Sequence, residues 1–128
     1  MNSLYQLLPV LAVALFLIAA VAAALRPAIA WTVPALAAAA FLGWSLYTVA
    51  EEGLAGVWAE HTRNAWGNQI WFDLLIAIAI GWTLLLPRAR AAGMSTWRWL
   101  ALICATGCIG LAAMLARCLY LESRQAES

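Results

Sequence analysis

Charge is what this 128-residue chain has least of. Lysine is absent, histidine and aspartate occur once each, and charged residues make up 10% of the sequence, with a net charge of +1. So small and balanced a charge excludes a basic nucleic-acid-binding surface and an acidic tail protein, so no nucleic acid is expected as a partner. It also excludes water as the solvent for the whole fold. An ordinary soluble domain has about 25% charged and roughly 45–50% apolar residues, whereas 66% of this chain is hydrophobic. A domain below about 150 residues buries only about two-thirds of its unfolded surface, so the apolar excess must face lipid. The same content excludes disorder.

Chemistry-bearing patterns are scarce as well. Cys104, Cys108 and Cys118 lie in one apolar stretch, without the spacing of a disulfide framework or a zinc site. His61 stands alone, so a b-type haem between two histidines is excluded. One histidine with scattered carboxylates falls short of a convergent metal-ligand set. Nucleophile–base–acid triads and phosphate loops are absent. Neither a metal nor a cofactor is expected from these residues.

What the chain does have is hydrophobic length. Segments 4–25, 29–50, 70–86 and 97–121 are long enough, or nearly so, to cross a hydrocarbon layer of about 30 Å at about 1.5 Å per residue. Only helices satisfy their backbone groups within lipid from segments of this length. The expected fold is all-α: a single polytopic domain, residues 1–128, with four transmembrane helices in an antiparallel bundle. The first segment reads as a span, because Met1-Asn2-Ser3 carries no positive charge and the apolar run exceeds the roughly 7–15 residues of a signal-peptide core. In the long second connection, Leu54, Val57, Trp58 and His61 fall at helical spacing and predict a short interfacial helix. Trp66-Gly67-Asn68 reads as the turn into the third span.

Arginine placement sets the expected orientation. Arg26, Arg88, Arg90 and Arg98 fall on one side of a four-span bundle, and Arg63, Arg117 and Arg124 on the other. The arginine-richer side is taken as cytoplasmic, so both termini and the acidic second connection are expected outside, in the periplasm of a bacterial inner membrane. Alanine-rich composition, with arginine but no lysine, fits a high-GC bacterial source. Trp58, Trp66 and Trp71 then lie at the outer interface, and Trp97 and Trp99 at the inner one, where tryptophan anchors belong.

Asp73 is the most informative polar residue. A carboxylate at a membrane helix centre costs up to about 2.5–3.5 kcal/mol on insertion scales, so such a residue normally has a partner. In an antiparallel bundle, Arg117 reaches the same depth, and an Asp73–Arg117 pair is expected as a register-fixing ion pair or a functional site. Glu51, Glu52 and His61 are candidates for the rim of an outward-facing cleft, with Trp44, Tyr47 and Glu51 on one helical stripe. Gly43, Cys104, Gly107, Cys108 and Gly110 are expected on close-packed helix faces.

The run Gly67-Asn68-Gln69-Ile70-Trp71-Phe72-Asp73, the basic loop Arg88-Ala89-Arg90-Ala91-Ala92-Gly93, Trp97, and a Gly-bearing helix ending Leu119-Tyr120-Leu121 resemble a group of small uncharacterised four-helix bacterial membrane proteins. More distantly, the run is similar to the plastid membrane proteins implicated in neoxanthin formation. The resemblance covers about residues 68–121, and the chain departs from it at Gly107-Cys108, where such relatives carry a proline. It implies an aspartate at the mouth of the third helix and a bound lipid, isoprenoid or carotenoid. The expected function is that of an integral membrane protein without catalytic activity, in contact with the lipid bilayer, other membrane proteins or copies of itself. It would serve as an accessory subunit of a larger complex or as a lipid- or isoprenoid-binding module. The alternatives are a membrane enzyme or chaperone acting on an apolar isoprenoid or carotenoid, and a small dimeric transporter.

Overall fold

A computed structural model describes residues 3–25 and 29–128. Among these it contains six helices and no strand: α1 (Ser3–Leu25), α2 (Thr32–Glu52), α3 (Gly56–Thr62), α4 (Ala65–Ala91), α5 (Thr96–Thr106) and α6 (Cys108–Glu127). Three of them, α1, α2 and α4, are long and apolar enough to cross a membrane. The fold is all-α as expected, but with three such helices instead of four.

The fourth expected span breaks in two at Gly107. This residue has φ 64° and ψ −128°, a conformation that L side chains avoid and glycine adopts freely. Its N–H closes α5 on the Ile103 carbonyl, and the chain then turns back. A Cβ at Gly110 would lie 2.9 Å from the Ile103 Cα and backbone N, so the two helices touch backbone to backbone beside the turn. Further along, α6 runs in the same direction as α4: Gly81 lies against Leu111, and Arg88 meets Glu122. Helices α5 and α6 therefore form a hairpin whose tip lies near Ile78. Two sequence expectations fall with the unbroken helix. The antiparallel four-span bundle is replaced by three long helices and a hairpin, and Gly107 serves chain reversal instead of helix packing.

Helix α4 is longer than the 70–86 expected, at both ends. Asn64 is extended (φ −160°), and its side chain accepts a hydrogen bond from the Gly67 N–H at 2.9 Å, capping the helix at Ala65. Trp66-Gly67-Asn68 is thus the first turn of α4, not a loop. Gly67 is required there, because a Cβ would overlap the Glu60 carbonyl oxygen at the end of α3. At the far end α4 runs through Pro87 to Ala91. It stops at Gly93 (φ 77°), where the Gly93 N–H bonds Arg90 and the Met94 N–H bonds Ala89.

The buried core comprises Leu85 and Ala89 of α4, Ile103 of α5, and Met114 and Cys118 of α6. Helix α2 lies antiparallel along α6, with Trp31 edge-on to Tyr120 at a centroid distance of 5.4 Å. Its buried positions are Pro34 and Ala38, following Ala30. These small residues let the two backbones approach. The close-packed face expected at Gly43 is not formed: Gly43 has nothing within 4 Å of where a Cβ would stand. Helix α1 has no buried residue and reaches α2 through Tyr5 and Trp44, at 6.4 Å. The start of α1 thus lies by the end of α2, while the end of α6 lies by the start of α2. The described ends of the chain sit at opposite ends of the molecule.

Candidate functional site

At the acidic end, α3 and α4 meet in a tight corner. Asn68 donates its side-chain amide to the His61 carbonyl at 2.6 Å, and the His61 ring lies 4.8 Å from Trp71. His61 Nδ1–H donates to the Val57 carbonyl at 2.6 Å, so the ring is held against the corner instead of projecting into a cleft. Glu60 pairs with Arg63 at 3.1 Å on the exposed surface. Glu51 and Glu52 are exposed on the last turn of α2. Among the described residues no three His, Cys, Asp or Glu side chains converge to hold a metal ion. The Trp44–Tyr47 half of the expected stripe does assemble, with rings 5.4 Å apart. With Tyr5, Trp44 ends an apolar groove between α1 and α2 of about 590 Å³, walled by Leu8, Ala12, Leu15 and Phe41.

Asp73 and Arg117 do not meet. The reversal at Gly107 carries Arg117 toward the opposite end, where its guanidinium lies 5.8 Å from the Tyr120 ring centroid. Ion pairs among the described residues are Glu60–Arg63, Arg88–Glu122 and Arg124–Glu127. Asp73 is exposed, and helical phase explains why. The side of α4 turned to the rest of the chain carries Trp71, Leu74, Ile78, Gly81, Leu85 and Ala89, all buried or half-buried. Asp73 belongs to the other side, with Trp66, Ala77, Ile80 and Leu84, all exposed.

The ion pair the sequence did not reveal is Arg88–Glu122. It is bidentate: Arg88 Nε donates to Glu122 Oε1 at 2.9 Å, and a terminal guanidinium nitrogen donates to Oε2 at 2.6 Å. The guanidinium holds the Glu122 carboxyl below the usual carboxylate range. Cys118 Sγ lies 3.6 Å from Oε1, and burial pushes its thiol up, so it stays a neutral donor. The pair clasps the end of α4 to the returning α6. Of the other cysteines, Cys104 is exposed, contrary to the close-packed position expected of it, and Cys108 is half-buried. Trp58, Trp66 and Trp97 are exposed, whereas Trp99 leans on the core cluster.

Compared with protein-family models, with curated proteins and with solved structures, the chain matches none.

Proposed function

We propose that the chain is a non-catalytic integral membrane protein of a bacterial inner membrane, acting as an accessory subunit of a larger membrane complex. The observation that carries this reading is bare surface. The chain exposes 9324 Å², whereas a compact fold of 13.8 kDa exposes about 6,600 Å² by the usual mass scaling. The excess of roughly 2,700 Å² on this one chain is ample for its side of an obligate protein interface, with lipid covering the rest. Helix α1, with nothing buried, contributes much of it. The acid–base candidates Asp73, Glu51 and His61 sit on three different helices without converging, which speaks against catalysis.

The arginines support an orientation. Arg88, Arg90, Arg98, Arg117 and Arg124 gather toward the end where α4 meets the tail of α6, leaving Arg63 at the acidic end among the described residues. That asymmetry is steeper than a four-span arrangement gives. It supports a cytoplasmic arginine end and a periplasmic start of α1. Extraction in mild detergent tests the subunit reading. The chain is expected to migrate with a second membrane protein in fixed ratio; a stable, lone monomer would overturn it.

The groove between α1 and α2 favours a second reading, a module that holds one lipid or isoprenoid chain. Its volume lies within the roughly 300–1,000 Å³ of small-molecule sites, its walls are apolar, and Tyr5 and Trp44 close one end. Organic extraction of the purified protein would then release one apolar compound in stoichiometric amount, and Ala12→Trp would abolish its retention.

A further inference from the structure

We propose that the exposed face of α4 carrying Asp73 is the contact surface for a transmembrane helix of a different protein, one with a lysine or arginine at the depth of Asp73. This rests on the subunit reading above and names the surface through which that reading works.

Depth comes first. Asp73 is fifteen residues before Arg88 on the same helix, a rise of about 22 Å. With Arg88 at one edge of a hydrocarbon layer of about 30 Å, Asp73 stands well inside the other edge. A carboxylate there is costly unless a partner answers it, and residues of this kind mark functional contacts. This carboxylate has no ion pair or hydrogen bond among the described residues. It also points to the side of α4 that no other described helix covers.

Charge complementarity then selects the partner. No arginine of the described chain is free at this depth. Arg63 lies beyond the start of α4 and is engaged by Glu60 at 3.1 Å, and the other described arginines gather toward the opposite end. A second copy of the chain fits poorly for the same reason. A two-fold axis along the membrane normal brings equal depths together, setting Asp73 against Asp73, and like charges in a low dielectric repel. A lipid ammonium group would have to leave the headgroup layer to reach it. A helix from another protein, bearing its own cation, meets all these conditions. The surrounding surface suits it: Ala77 permits close approach one turn below, and Ile80 and Leu84 continue an apolar line.

The test uses the full chain in its native membrane, with the photo-crosslinking residue benzoylphenylalanine placed at Ala77 or, separately, at Val13 of α1. From Ala77 we expect an adduct with one membrane protein, mapped to a transmembrane segment containing Lys or Arg. Its yield per inserted chain should fall about tenfold, the equivalent of about 1.4 kcal/mol, in Asp73→Asn and in the second neutral variant Asp73→Leu. It should return in Asp73→Glu. Exchanging the charges, Asp73→Lys with the partner's cation changed to Asp, should also restore it. An adduct of twice the chain mass, labelling of lipid alone, or a yield unchanged in both neutral variants would overturn the proposal. Adducts from Val13 with none from Ala77 would overturn it while leaving the subunit reading intact; none from either position would overturn both.

Discussion

Near Arg88, segments of α4, α5 and α6 meet around Met114 and α2 lies along α6; near Glu51, close packing among the described residues is confined to the α3–α4 corner. At the arginine end Met114 and Cys118 are fully buried, whereas in the acidic half the buried residue is Gly67, at the corner of α3 and α4. Apolar content does not explain the difference. Helix α1 is the most apolar of the three long helices, with mean hydropathy 2.8, and none of it is buried. In lipid, apolar side chains are no better off against protein than against acyl chains, so burial follows backbone fit instead. The arginine end has that fit: the glycine turn at Gly93, small residues on α2 and α6, and a charged clasp. The acidic half lacks it.

The comparison breaks if truncating either half costs the same. Met114→Ala should destabilise the detergent-solubilised chain by about 2–5 kcal/mol, through the cavity it leaves. Phe16→Ala, at 68% exposure on α1, should stay within about 0.5 kcal/mol. Denaturant unfolding followed by tryptophan fluorescence measures both. The next largest effect is expected at the reversal. Gly107→Ala puts a side chain at φ 64° and should cost about 1–3 kcal/mol. In a background without native cysteines, labels at Ser128→Cys and Ala92→Cys should be accessible from one side, and at Asn64→Cys from the other. A Ser128 label that sided with Asn64 would restore the continuous helix and dissolve the comparison.

Smaller effects sharpen it. The Arg88–Glu122 clasp is half-exposed and should contribute about 1 kcal/mol or less. Because Glu122 titrates lower in the folded state than in the unfolded one, that contribution is full above the ordinary glutamate pKa. It is lost as pH falls through the depressed value. Unfolding measured across that acidic range should therefore show a slope that Glu122→Gln flattens; an equal slope in both proteins would remove the clasp from the account. Least of all, Gly43→Ala in the bare half should be harmless or stabilise by about 0.5–1 kcal/mol, since a helical glycine with empty surroundings contributes only flexibility. A loss of stability there would mean that this face is packed after all.

How much of this was legible in the sequence depends on the range of each signal. Helix-forming apolar runs are local, so the all-α class, α1, α2 and the body of α4 could be read directly, as could a helix near Val57 in the second connection. Gly107 could not be weighed in the same way. Hydropathy along 97–121 is continuous, while a positive φ is a single backbone choice that an apolar average hides. Two clues were available: a glycine following Thr106 at a helix end, and a tail of Glu122, Ser123, Arg124 and Gln125 too polar to finish a span. With that turn misread, Arg117 was sent to the wrong end and paired with Asp73. Arg88 and Glu122, 34 residues apart, were assigned to opposite sides. Gly43 shows a different limit, because small-residue spacing names a stripe without its phase toward a neighbour.

The hairpin also changes what must be carried through the bilayer when the protein is made. In a chain inserted as proposed, a continuous fourth helix would drag Glu122, Arg124 and Glu127 across the hydrocarbon layer. Turning at Gly107 spares that transfer. On the proposed orientation, α5 and α6 would enter and leave from the face on which α4 ends, and their charged tail would stay in the compartment of synthesis. On that reading the last quarter of the chain, from Thr96 onward, packs against α4 and α2 without its charged tail having to cross the layer.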